Sequence, residues 1–422
     1  MDTVYLITYF LLWVITFIIY WGRKRNVDAG WFAIGCYTLW AILSVVLWKT
    51  PSMYDEFWSF APLTLAPFVY LFIMLRVCMI PVTRFDTNKT AIAPPNMTLL
   101  QYVTWFIIGC TLLQIPAIIS QLSANNISNL LNDSDLGQGL YADSMANAAS
   151  SGAKIENILS IFSGAFADIS VLLLYYYLTL KERHVVLIIG LLLTLCLNLL
   201  TPIVCGQRSG VILFLFTIIG GYFLFRHYFG SRIRRWIDMT VIGLIALICI
   251  PILAITSSRF GTRDSGVVGS MIYYVGQAPL NFNNYGLDDG GIRYGDRTAN
   301  LLKRIFDSST PKNYVERRDK YTNLHIDDYV FYTYVGDFTI DYGPIVGTII
   351  LLVLTILITI ATKPTDNTIQ FHQLLLIFLT LCVVVQGSFY LFAYADTNGL
   401  KIIVLLMLYL LCKHIRPQAC QD

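Results

Sequence analysis

The stretch VVLIIGLLLTLCLNLLTPIV, residues 185–204, contains no charged residue over a length that matches the bilayer core. A helix needs roughly 18 to 25 apolar residues to cross a membrane. Working outward, comparable windows fall at 4–21, 29–48, 59–80, 99–120, 155–180, 210–225, 236–256, 333–361, 369–392 and 400–412. Together they predict an all-α, polytopic membrane bundle of about eleven transmembrane helices. The whole composition agrees: 56% of the 422 residues are apolar and only 13% are charged. A water-soluble chain carries about a quarter charged residues, so a soluble protein is excluded. The runs are continuous, whereas a membrane β-barrel alternates apolar and polar positions.

The run Val4–Trp21 is followed by Arg23, Lys24 and Arg25 and lacks a small-residue cleavage site, so it reads as a retained span. One set of short connections holds those three charges, Arg84, Lys89, Lys181, Arg183, Arg226, Arg232, Arg234, Arg235, Lys363, Lys413 and Arg416. The opposite set holds little beyond Lys49, Lys154, Arg208 and Lys401. The positive-inside rule then places the N-terminus outside and the C-terminus in the cytoplasm. The reading divides the chain into an N-terminal bundle, 1–256, with a small outer loop at 121–154; a long outer loop, 257–332; and C-terminal helices over 333–422.

Net charge is only +3, which gives no global field for a nucleic acid. The nine cysteines fall almost entirely within apolar runs or near the C-terminus and read as packing residues. No phosphate loop, zinc-protease motif or nucleophile elbow is present, and four of the five histidines lie at cytoplasmic ends, so no metal or cofactor is expected.

Chemistry on the outer face of a cytoplasmic membrane has no nucleotide sugar to draw on, so an activated substrate must arrive on a lipid carrier such as a polyisoprenyl pyrophosphate. Arginine suits such a ligand, because its charge is permanent and its planar fork grips phosphate oxygens in pairs. Arg208, in a Gly206-Gln207-Arg208-Ser209-Gly210 turn opening a span, is one candidate; a snorkelling interfacial arginine is the alternative. Arg259 and Arg263 follow the eighth span four residues apart and are the second pair, or else a solvated helix end. Arg293 and Arg297 repeat the spacing in a loop that need not be helical.

For a proton acceptor the candidates are His325, Asp327 and Asp337, with Asp328 and Asp341 beside them. Asp327 and Asp328 also read as a solvated rim, whereas Asp337 and Asp341 lie four apart in an apolar segment and face one way. Tyr273, Tyr274, Asn281 and Asn283, with Arg293, make a candidate sugar platform, or an interfacial aromatic belt. Asp168 sits mid-span, where an unpaired carboxylate is costly; pairing with an arginine and a structural polar contact are equal readings, and no catalytic role is expected.

Three elements carry a family resemblance: Gly206-Gln207-Arg208-Ser209 opening a span, Tyr273-Tyr274-Val275-Gly276 leading to Asn281-Phe282-Asn283, and Tyr321-Thr322-Asn323 followed by Asp341-Tyr342-Gly343. With the topology, they resemble the bacterial O-antigen polymerase family, the oligosaccharide repeat unit polymerases. The resemblance implies a lipid-carrier glycosyltransferase bundle of the GT-C-like kind in the bacterial inner membrane. It also implies an undecaprenyl-pyrophosphate-linked oligosaccharide as substrate, with flippase and chain-length regulator proteins as partners. Arg208, Arg259 and Arg263 would hold the pyrophosphate. An O-antigen ligase, or a flippase or transporter, is the competing expectation; the absence of an internal repeat weighs against transport.

Overall fold

The computed structural model describes residues 1–55, 60–124, 155–182, 184–205, 207–260, 264–288, 290–311, 316, 320–321, 324–325, 330–391 and 396–415. Among the described residues, the regular structure is helical apart from a two-stranded parallel pairing of β1 (Ala91–Ala93) with β2 (Thr368–Gln370). Among the described residues, eight helices are long and apolar enough to cross a membrane, which shows a multi-pass membrane protein of the all-α class. Leu65–Cys78 and Phe371–Gln386 are apolar but shorter.

The fold divides into two compact units that interleave in sequence. The first takes residues 1–85, 262–361 and 380–399, and the second takes the remainder. The units are set by which helices pack together and not by the order of apolar windows.

In the first unit, α1 (Asp2–Lys24) and α2 (Ala29–Lys49) form a helical hairpin. Arg25 closes α1 in the left-handed conformation, and Asp28 caps α2 by accepting the Trp31 N–H at 2.9 Å. The same carboxylate accepts the Tyr20 hydroxyl at 2.8 Å and pairs with Lys24 at 3.3 Å, and the Lys24 ammonium also donates to the Phe85 carbonyl at 2.8 Å. Trp13 stacks on Tyr37 and Tyr9 on Phe68, which places α3 (Leu65–Cys78) against the hairpin. Helix α4 (Ile80–Arg84) follows directly.

The second unit contains α5 (Met97–Leu112), α6 (Ile115–Ala124), α7 (Ile155–Thr179), α8 (Val185–Val204), α9 (Arg208–Phe225) and α10 (Ser231–Phe260). The single window at 99–120 breaks between α5 and α6 because Pro116 has no N–H to offer the Leu112 carbonyl. Asp168, on α7, accepts the Thr217 hydroxyl at 3.5 Å and pairs with Lys401 at 3.4 Å. The buried carboxylate therefore makes a structural polar contact, answered by a lysine and a threonine, and the arginine pairing is not found among the described residues.

The interval 257–332, read from sequence as a loop, contains α11 (Gly266–Tyr285) and the short α12 (Asn300–Phe306). Helix α11 packs on α2 at backbone distance: a Cβ at Gly276 would lie 2.8 Å from the Leu43 carbonyl oxygen, and Ser44 donates its hydroxyl to the Gly276 carbonyl at 2.8 Å. Asn283 and Asn284 then hold the chain ahead of α3. Asn283 exchanges two hydrogen bonds with the Thr64 backbone, at 2.9 and 2.7 Å, and Asn284 does the same with Ala61, at 3.0 and 3.1 Å. That segment cannot join a helix, so α3 starts later than the apolar window.

Helix α13 (Thr333–Ala361) is broken at Gly343, whose φ of 78° and ψ of 159° are open essentially to glycine alone. Pro344 follows. A Cβ on Gly347 would lie 2.6 Å from the Phe338 carbonyl oxygen, although residues nine apart in a straight helix are separated by about 13 Å. The two halves therefore fold back on each other. Helices α14 (Phe371–Gln386) and α15 (Asp396–His414) complete the fold. We expect Gly343→Ala to destabilise the protein by about 1–3 kcal/mol through backbone strain. A methyl there meets no atom within 4 Å, so crowding adds nothing. A lowered thermal midpoint in detergent would show this; an unchanged one would mean the bend is not held in that conformation.

Candidate functional site

The bend in α13 leaves carbonyls without helical partners, and a turn from the long segment supplies them. Pro344 cannot donate to Ile340, so the Arg293 N–H does so at 3.2 Å, and the Tyr294 N–H reaches the Asp341 carbonyl at 2.8 Å. The turn closes through left-handed residues, Tyr294 at φ 52° and Gly295 at φ 84°. Glycine is required at the second for two reasons: its φ, and the Tyr342 hydroxyl, which would lie 2.9 Å from a Cβ. Arg293 and Arg297 are therefore not successive turns of a helix, although their spacing would fit one.

Arg297 and Asp337 are both buried, and the guanidinium meets one carboxylate oxygen through Nε at 2.7 Å and Nη2 at 2.6 Å. The ring of Tyr332 lies 5.2 Å beneath the guanidinium. The other Asp337 oxygen accepts the Leu391 N–H, so both oxygens are engaged. Asp341, one turn on, accepts the Arg297 N–H at 3.1 Å, and the Thr298 N–H and hydroxyl at 2.7 Å each. The start of α13 is tied to the same chain end, since Thr333 and Tyr334 donate to the Phe389 and Gly387 carbonyls at 2.8 and 2.6 Å.

A third buried carboxylate, Asp296, accepts the Tyr321 hydroxyl at 2.7 Å and pairs with Lys303 and, at 3.5 Å, with Lys320. Burial, followed by the adjacent Asp296, pushes the Tyr321 phenol above its ordinary range, so it stays protonated as a donor. Its hydroxyl also lies 2.8 Å from the Arg293 carbonyl. Val330, Tyr332 and Ile340 form a small apolar core beside this network. The arrangement gathers three buried carboxylates with Arg297 and Lys303 and with Arg293, itself buried. Chemically it holds the 293–298 turn in one geometry.

Asp337 and Arg293 belong to this network, and His325 lies nearby in the same segment, exposed; a Cβ at Gly290 would come within 3.0 Å of its imidazole. Tyr273, Tyr274, Asn281 and Asn283 all lie on α11, but the asparagine amides are committed within the protein. Asn281 donates to the Gln277 side chain at 3.2 Å and to the Phe331 carbonyl at 3.0 Å, and Asn283 holds Thr64. Tyr273 is buried, and Tyr274 packs edge-on against Phe331 at 4.8 Å. Arg208 belongs to the second unit, as the first and buried residue of α9. Arg259 is in the last turn of α10, with its side chain outside the described residues, as are Arg263 and Asp327 entirely.

Sequence reasoning did not single out Asp296, Lys303 or Tyr321 as a cluster. The only available signal was an aspartate set between Gly295 and Arg297 in a polar segment, which is equally the mark of a solvated turn. Among the described residues, no group of three histidine, cysteine or acidic side chains is placed to hold a metal ion. Comparison with family models, with curated proteins and with solved structures finds no match for this chain.

Proposed function

We propose that the chain is a glycosyltransferase that polymerises oligosaccharide repeat units linked to undecaprenyl pyrophosphate, at the periplasmic face of the bacterial inner membrane. The observation that carries this reading is Arg208, buried at the first position of an 18-residue apolar helix, α9. Unbonded backbone N–H groups at a helix start favour an anion, and a guanidinium there adds a permanent charge with a bidentate fork. A pyrophosphate on a lipid is an anion delivered to the edge of an apolar helix. In this reading Arg208 holds the donor's pyrophosphate and stabilises it as it departs. A hydroxyl of the incoming unit attacks the anomeric carbon and releases its proton to water as the glycosidic C–O bond forms, while the glycosyl–phosphate C–O bond breaks and undecaprenyl pyrophosphate leaves with the electron pair. Asp337, bound through both oxygens, serves to hold the 293–298 turn and not as the free base.

The distribution of Lys and Arg among the short connections supports an outer N-terminus and a cytoplasmic C-terminus. Purified protein incubated with a lipid-linked repeat unit should produce longer lipid-linked chains, and Arg208→Ala, at equal protein level, should abolish them. Long chains retained in that variant would refute the role of Arg208. In cells lacking the protein, single repeats on the lipid anchor are expected; carrier-linked polymer accumulating instead would identify a ligase.

A further inference from the structure

The opening turn of α10 carries Arg232, Arg234 and Arg235 and no acidic residue. That is the unfavourable sign for a helix start, where the macrodipole already presents positive charge. Asp238, the acid one turn on, accepts the Tyr222 hydroxyl, and Arg226 Nε donates to the same hydroxyl at 3.0 Å. Among the described residues, none of the three arginines forms an ion pair.

Ser231, Arg232, Arg235, Trp236 and Met239 line one shallow cavity of about 370 Å³. Their spacing puts them along a single stripe of the helix. Trp236 is 62% exposed and Met239 52%, and the helix continues from them into an apolar run to Ser257 that is long enough to cross a membrane. The stripe therefore reads, in order, as two guanidinium groups, an amphipathic ring and an apolar side chain leading into the span. Charges that serve only to orient the chain need no such sequence, since they act through number and side alone. Tryptophan prefers the headgroup layer, and arginine grips phosphate oxygens there.

We infer that this face of α10 binds the headgroup of an anionic phospholipid, with Arg232 and Arg235 on the phosphate and Trp236 and Met239 against the glycerol and upper acyl chain. The occupant is a lipid and not a free phosphate, because the apolar half of the stripe would be idle on a soluble anion. Basic clusters flanking a span are attracted to anionic headgroups in the same way. The site stands independently of the polymerase reading.

The test uses the full-length protein in vesicles of phosphatidylcholine and phosphatidylglycerol at fixed proportions, with bromine on the acyl chains of one lipid or of the other. Quenching of Trp236 is read as the difference between the wild type and Trp236→Phe. Brominated phosphatidylglycerol should reach Trp236 with roughly tenfold enrichment over its share of the bilayer. The enrichment should fall as salt is raised and vanish in Arg232→Gln/Arg235→Gln. Quenching in proportion to bilayer share in the wild type, which needs no arginine variant to fold, would overturn the inference. So would enrichment that survives loss of both arginines.

Discussion

Arg297→Met is expected to lower the stability of the folded protein by about 3–5 kcal/mol, the cost of leaving a buried charge without its partner. The variant strands the fully buried Asp337 carboxylate with the Leu391 N–H as its remaining hydrogen bond and the Arg293 charge acting on it without a hydrogen bond between them. Methionine fills much of the same volume, so the loss belongs to charge and hydrogen bonding and not to a cavity. The informative comparison is Arg297→Met/Asp337→Leu. Removing both charges removes the desolvation cost as well as the attraction, so most of the lost stability should return, less the cost of the unanswered Leu391 N–H. Thermal midpoints in detergent for the two single variants and the double variant complete the cycle. If Arg297→Met unfolds with the wild type, or if the second substitution restores nothing, the pair does not hold the turn as described.

The helices were legible wherever an apolar run alone decided them, as at 29–49 and 185–204, because lipid demands a continuous apolar surface and the demand is written residue by residue. Helix α11 was not legible for the same reason reversed. Its Gln277, Asn281, Asn283 and Asn284 lower its hydropathy, and Pro279 interrupts its pattern. The asparagine NH2 groups donate to the Phe331, Thr64 and Ala61 carbonyls, partners about 50 to 220 positions away in sequence that no local window contains. The polar residues that argued for a loop are thus what fixes the helix in place.

Asp337 and Asp341 were legible as a pair four apart in an apolar segment, and α13 does place them on consecutive turns. What each one meets was not legible, since the partners come from a turn some 40 residues upstream whose left-handed backbone contradicts the helical spacing of Arg293 and Arg297. The break at Gly343-Pro344 could be read as a helix stop, but not as a fold-back that frees the Ile340 and Asp341 carbonyls for that turn. Long-range polar pairing at a helix break leaves no periodic signature.

The same geometry makes Asp341 the second position of large effect. Its carboxylate answers two backbone amides, of buried Arg297 and half-buried Thr298, and the Thr298 hydroxyl. Asp341→Leu leaves both amides unsatisfied, at about 1–3 kcal/mol each, so a total loss of about 2–6 kcal/mol is expected. Thr298→Val is the measured contrast. It removes the hydroxyl's bond to the carboxylate, worth about 1.5–3 kcal/mol, and its contact with the Tyr342 hydroxyl at 3.1 Å, while both amides keep their acceptor. Because the amides belong to the turn, the loss should be local before it is global. Hydrogen exchange at 293–298 should accelerate in Asp341→Leu by more than in Thr298→Val, while α1 and α2, which make none of these bonds, keep their protection. Equal exchange in the two variants would mean that the amides find another acceptor, and that Asp341 is not what anchors the turn to the bend.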